Sequence, residues 1–122
     1  MERVFLDANY FIDLVERKKN LNLKQLSANS LFISPLSIHI LVYVYKYKIP
    51  NLNLSKINEN LNIVPLDRVI TNNSLMGPTN DFEDNIQLNS AASSNCNLFL
   101  TRDKKILKLR FFGKVKIQLN LV

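Results

Sequence analysis

The chain predicts an α/β protein, a three-layer α/β/α sandwich around a central, mostly parallel five-stranded sheet. Three observations predict it. The runs Val4-Phe5-Leu6 and Leu98-Phe99-Leu100-Thr101 are apolar without alternation and have the length of strands buried on both faces. Strand-like runs alternate with helical segments along the chain, and right-handed crossovers place such helices on both faces of a parallel sheet. The 122 residues are 47% hydrophobic, enough for one globular core, so a single domain is expected over residues 1–122.

The elements follow in order. Residues 3–7 read as the first strand, and a helix from Asn9 or Tyr10 to about Lys18 carries Phe11, Leu14 and Val15 on one face. Leu23 to about Ala28 suits a short helix, and Leu31-Phe32-Ile33 a second strand. Ser34 before Pro35 is an N-cap followed by proline at the first helical position, so a helix is expected over Leu36 to Tyr47. The alternation of Tyr43, Tyr45 and Tyr47 also fits a strand, but the cap decides for helix, and Pro50 stops it. Leu54 to Leu61 reads as helix, Asn62 to Leu66 as the third strand, and Asp67 to about Leu75 as a helix opened by an acid. Gly77-Pro78-Thr79-Asn80 is a loop, which leads into a helix from about Phe82 to Ser93 whose Ile86, Ala91 and Ala92 suit packing on a sheet. Asn97 to Thr101 is the fourth strand, Lys104 to Leu109 a short helix, and Val115-Lys116-Ile117 the fifth strand.

Composition narrows the partners. The formal charge of +6 favours an anionic partner such as RNA, DNA or an acidic protein segment, against the plainer reading of a solvated basic surface. Basic residues recur at Arg17-Lys18-Lys19, at Lys46 and Lys48, and from Arg102 to Lys116, whereas Asp81, Glu83 and Asp84 form an acidic knot. Cys96 is the only cysteine, which excludes an internal disulfide and a cysteine-rich zinc motif. No apolar stretch is both long and uncharged enough for a bilayer, and acids interrupt the first fifteen or so residues, unlike a secretory signal. A cytoplasmic protein without a membrane partner is expected.

The acids carry the chemistry. Asp7 ends the first strand, Asp103 follows the fourth, and Asp84 lies in the first turn of the helix feeding the fourth, so all three are aimed at the crevice beyond the strands' carboxyl ends. Carboxylates gathered there repel one another, which raises their pKa values unless a cation fills the gap. Oxygen ligands without cysteine or clustered histidine favour Mg²⁺ or Mn²⁺. A hard cation so placed polarises a phosphodiester oxygen and acidifies water, which is the chemistry of hydrolytic phosphodiester cleavage.

Taken together, Val4-Phe5-Leu6-Asp7-Ala8-Asn9, Asp81-Phe82-Glu83-Asp84-Asn85-Ile86-Gln87 with Ala91 and Ala92 behind it, and Leu98-Phe99-Leu100-Thr101-Arg102-Asp103 resemble the PIN domains. These are metal-dependent ribonucleases, often the toxins of toxin-antitoxin modules. The likeness spans essentially the whole chain. It implies a doubly wound sheet, a Mg²⁺ or Mn²⁺ site, RNA as substrate, a homodimer and an antitoxin protein that blocks the site. It makes Asp7, Asp84 and Asp103 the catalytic metal ligands, gives Asn9 the task of orienting Asp7 or a bound water, and has Thr101 support the crevice. One departure stands out. The family usually places a glutamate in the helix after the second strand, near Ile40, yet no Asp or Glu occurs between Glu16 and Glu59. His39, the only histidine, is the nearest polar replacement, either as a metal or phosphate contact or as a packed residue of an apolar helix. Glu83 or Asp81 are the other sources of the missing charge.

The remaining candidates have two readings each. Asp81 and Glu83 also complement a helix N-terminus, worth about 0.3 to 1 kcal/mol each. Asp13 is a solvated position on the first helix or, by its spacing from Asn9, a residue of the crevice. Arg102 either steers phosphate or is a free surface arginine, and the three tyrosines are core or dimer contacts before they are base-stacking groups. Two functions follow: a divalent-metal-dependent ribonuclease, or a catalytically impaired module of the same fold that holds RNA or a protein. A phosphoacceptor receiver domain fares worse, because Leu66-Asp67 lacks the acid pair such a domain needs at its first strand.

Overall fold

The computed structural model describes residues 2–17, 26 and 28–121. Strand β1 (Arg3–Leu6) leads into helix α1 (Ala8–Ile12), which continues as a π-helical turn over Asp13–Arg17. Then come β2 (Ser30–Ile33), α2 (Pro35–Tyr45), α3 (Leu52–Glu59), β3 (Asn62–Ile63), α4 (Arg68–Met76) and α5 (Phe82–Ser93). The chain closes with β4 (Leu98–Leu100), α6 (Lys104–Leu107), β5 (Phe111–Phe112) and β6 (Val115–Gln118). The helix expected over Leu23 to Ala28 falls largely outside the described residues.

The sheet has six strands in the order β3-β2-β1-β4-β6-β5, all pairs parallel except β5 with β6. The α/β/α sandwich is therefore as expected, but the count of five strands is corrected. The additional strand is the two-residue β5 at an edge, folded back on β6 through Gly113, whose φ of 60° is open to glycine without strain.

Burial explains the uninterrupted apolar runs. Within β1, Phe5 faces one core with Phe32 and Phe99, while Val4 and Leu6 face the other with Ile33 and Leu100. The period of two persists, but both faces are covered, so polar residues never alternate in. Helices α4, α5 and α6 close the first face through Ile70, Ile86, Leu88, Ala91 and Ile106, and the rings of Phe5 and Phe99 stack with centroids 5.5 Å apart. Helices α1, α2 and α3 close the second through Phe11, Leu41 and Leu54. Ser34 caps α2 by accepting from the Leu36 N–H, with Pro35 in the first turn, so the helical reading of the tyrosine-rich segment holds up to Tyr45. Tyr43 faces solvent at 76% exposure, and Tyr47, half-buried against the second core, donates to the Glu16 carboxylate. No described helix is long and apolar enough to cross a membrane.

This topology sets the site. Parallel strands β2 and β4 flank β1, and the chain leaves β1 in one direction for β2 and later returns on its other side as β4. Such a switch point opens a crevice beyond the carboxyl ends of the two strands.

Candidate active site

Asp7 directly follows β1 and is 4% exposed. It caps α1: one oxygen, Oδ1, accepts from the Ala8 N–H at 2.9 Å, and the other, Oδ2, accepts from the Thr101 hydroxyl at 2.7 Å. Thr101, fully buried beyond β4, in turn accepts from the Asp103 N–H at 3.0 Å. One hydroxyl thus joins the acids that follow two neighbouring strands. Asp103 caps α6, with its Oδ1 accepting from the Lys105 N–H at 2.8 Å. Asp81 caps α5 through the Asp84 N–H at 3.0 Å. Three of the acids at this edge are helix caps, which is why short polar acids follow each apolar strand or open the helix.

The acids feel one another. Burial pushes the Asp7 carboxyl up to about 6; the hydrogen bonds from Thr101 and Ala8 oppose this, and the charges of Asp103 and Asp81 add to it. Asp84 is also pushed up to about 6, first by burial and then by the charges of Asp81, Asp7, Asp103 and Glu83. The Asp84 carboxylate makes no hydrogen bond to a described residue, so both its oxygens are open. A cavity of about 390 Å³ lies against Thr79, Asp81, Asp84, Asp103 and Lys105. A larger hollow of about 510 Å³ near Val15, Tyr47, Leu54 and Ile57 contains a single acid, Glu16, and has no comparable cluster.

A family model for the PIN domain matches residues 4–112. The chain belongs to the PIN-domain family. PIN domains are in general nucleases that use divalent metal ions. Among solved structures, this PIN domain is similar to VapBC2 from Rickettsia felis bound to a DNA fragment from their promoter, with a TM-score of 0.67 and 19% identity over 95% of this chain and 97% of that one. At that identity the likeness is one of fold. No curated protein matches the sequence.

The PIN fold brings Asp7, Asp84, Asp103 and Asp81 into electrostatic contact, with Thr101 between two of them and Glu83 at the margin. Other residues fall elsewhere. Asn9 is exposed and makes no hydrogen bond to the Asp7 carboxylate, which accepts from Ala8 and Thr101 instead. His39 is exposed, stacks on Tyr43 with ring centroids 6.2 Å apart, and contributes to neither shifted carboxyl. Ile40, at the usual glutamate position, packs half-buried into the core beside α1. Asp13 is not a solvated position: it is 2% exposed, and Arg102 Nε stands 2.7 Å from its Oδ2. Arg102 is accordingly no free surface arginine. Its guanidinium also lies 5.3 Å from the Tyr10 ring centroid, and Arg102 is not among the residues that line the cavity.

Two contributors were not singled out by the sequence. Asn85, 3% exposed, accepts from the Thr79 N–H and hydroxyl and donates to the Ser74 and Thr79 carbonyls, fixing the loop that presents Asp81. An asparagine inside an otherwise good helix, one residue after Asp84, is the signal for such a role. Lys105 lines the cavity.

Among the described residues no three acids, histidines or cysteines converge closely enough to cage a metal ion unaided. Magnesium seldom needs such a cage, because it keeps several waters and takes one or two carboxylates together with substrate phosphate. The open Asp84 carboxylate beside the strained Asp7 fits that donor set.

Replacing Thr101 by valine keeps the shape but removes the hydroxyl that Asp7 and Asp103 share. The expected result is a Asp7 carboxyl titrating above the wild-type value of about 6 and a loss of about 1 to 3 kcal/mol of stability, read by carboxyl NMR and urea unfolding. An unmoved Asp7 titration would remove Thr101 from the site.

Proposed function

We propose that this PIN domain is a divalent-metal-dependent ribonuclease and the toxin of a toxin-antitoxin pair, with Asp7, Asp84 and Asp103 as the residues that hold the metal. The observation that carries this reading is the gathering of Asp7, Asp81, Asp84 and Asp103 within electrostatic reach of one another at the switch point of the sheet. Two buried or half-buried carboxyls held near pKa 6 are costly to ionise unless a cation meets them. A bound Mg²⁺ or Mn²⁺ would supply the Lewis acidity for phosphodiester hydrolysis. The chain's own residues hold the geometry: Thr101 fixes Asp7, the cap of α6 fixes Asp103, and Asn85 fixes the loop that carries Asp81. The net charge of +6 suits an RNA substrate. The fold shared with VapBC2 supports an antitoxin as protein partner.

The test is cleavage of a labelled RNA by purified protein. Cutting with Mn²⁺ or Mg²⁺, none with chelator, and a loss of at least about 10²-fold in Asp84→Asn are expected. Undiminished cutting by the variant would defeat the assignment.

One observation favours a second reading, an impaired module that binds RNA or protein: α2 offers no carboxylate, since Ile40 is in the core and His39 is turned outward. Calorimetry separates the two. Heat of Mn²⁺ binding in the micromolar range belongs to the enzyme, and its absence with RNA binding retained belongs to the module.

A further inference from the structure

We infer that Lys105 is the phosphate-binding residue of the crevice, its ammonium receiving a backbone phosphate of single-stranded RNA opposite the carboxylates. The inference rests on the reading of the crevice as a ribonuclease site and names how the substrate is held there. An anionic chain that enters a space lined by Asp81, Asp84 and Asp103 is repelled unless positive charge meets it, and a basic side chain of the protein adds to what a bound cation supplies. By position Arg102 would be that group, but it is spent on Asp13 and Tyr10. Lys105 is the basic residue among those lining the cavity.

Its placement suits the task. The Lys105 N–H donates to Asp103 Oδ1 at 2.8 Å, so its backbone is tied to one of the acids. Its ammonium nevertheless forms no ion pair with a described residue and contributes to neither shifted carboxyl. Three acids and one basic residue thus line the same cavity of about 390 Å³. A lysine is a compact charge on a flexible stem, suited to following a phosphate as the backbone settles.

The experiment measures anisotropy of a fluorescein-labelled RNA oligonucleotide over a series of KCl concentrations, with Ca²⁺ in place of Mn²⁺ as a hard cation of weaker Lewis acidity and a gel confirming that the RNA stays intact. Lys105→Gln is compared with Lys105→Arg and with Lys114→Gln, a change of equal charge at an exposed residue of the β5–β6 turn. Lys105→Gln should weaken binding about three- to tenfold at low salt and lower the slope of log K against log salt by about 0.7, the value of one phosphate contact on a single strand. Lys105→Arg should keep the slope, and Lys114→Gln should change it less. Equal effects of the two glutamine variants, or no effect of Lys105→Gln, would overturn the inference. Cleavage of the same RNA with Mn²⁺ keeps the two readings apart. Wild-type cutting with KM unchanged in Lys105→Gln sinks the lysine's role and leaves the ribonuclease standing, whereas absent wild-type cutting with the slope change intact sinks the ribonuclease alone.

Discussion

Asp7→Asn should remove RNA cleavage and at the same time make the metal-free protein more stable at neutral pH. The loss of activity follows from the proposed role: a ligand that positions the cation controls several kcal/mol of transition-state stabilisation, so a fall on the order of 10³-fold is expected. The gain in stability follows from the carboxyl's environment. Its pKa in the fold is about 6 against an ordinary value of 3.8. Between those two pH values the native state binds more protons than the unfolded one, so stability falls as pH rises from about 4 to about 6, and the penalty is complete above that. A raised carboxyl is therefore the reverse of the usual acidic group, which stabilises at neutral pH. For a side chain only 4% exposed, the shift of about 2 units sets a ceiling of about 3 kcal/mol at pH 7.5. Asparagine keeps the shape and an acceptor for the Ala8 N–H, and its amide can donate to the Thr101 oxygen. Thermal unfolding in chelator should show the variant ahead of wild type at pH 7.5 and level with it near pH 4. Added Mn²⁺ should reverse the order, because only wild type gains from binding. A variant no more stable than wild type at pH 7.5, or equally ahead at both pH values, would show that Asp7 carries no such strain.

The same residues show what a sequence can reveal and what it hides. Strands β1 and β4 are legible because burial on both faces writes itself as continuous apolar runs, and the acids that follow them are legible because capping and crevice chemistry both ask for aspartate there. Helix α2 is legible through Ser34-Pro35 despite its strand-like tyrosines. β5 is not, because two residues carry no periodicity; the Gly113-Lys114 turn between the partners Phe112 and Val115 is its one local signal. Asp13 is misread for a different reason. A polar side chain on an amphipathic helix is assigned to solvent by default, whereas Asp13 is buried and meets an arginine from the far end of the chain. The π-helical turn that begins at Asp13 adds to this, since no residue pattern announces it. The contrast between Arg102 and Lys105 is equally tertiary: nearest in sequence to the acids is not nearest to their cavity.

Arg102→Leu should be the most destabilising single change among the charged residues of this site. Asp13, 2% exposed, has Arg102 Nε at 2.7 Å; that nitrogen lacks an aligned hydrogen-bond acceptor, so the contact works through charge more than through direction. Breaking a buried pair from one side removes an attraction that offset the burial of the other charge, at a cost of about 3 to 5 kcal/mol. The Arg102 side chain is 35% exposed, so water can reach part of the vacated space, and the lower end, about 3 kcal/mol, is expected. The two partners should not be equivalent. When Asp13 is changed to asparagine, the long arginine can swing its head into water, whereas Asp13 has no such route, so Asp13→Asn should cost clearly less. Urea unfolding of both single variants and the double variant gives the coupling directly, with at least about 1 kcal/mol expected for residues in contact. Arg102 also stands between Thr101 and Asp103, so loosening it should lower cleavage by displacing Asp103 while leaving RNA affinity largely intact. Equal costs for the two single changes with no coupling would mean that the pair is an ordinary surface contact and that α1 and the end of β4 are held together by packing alone.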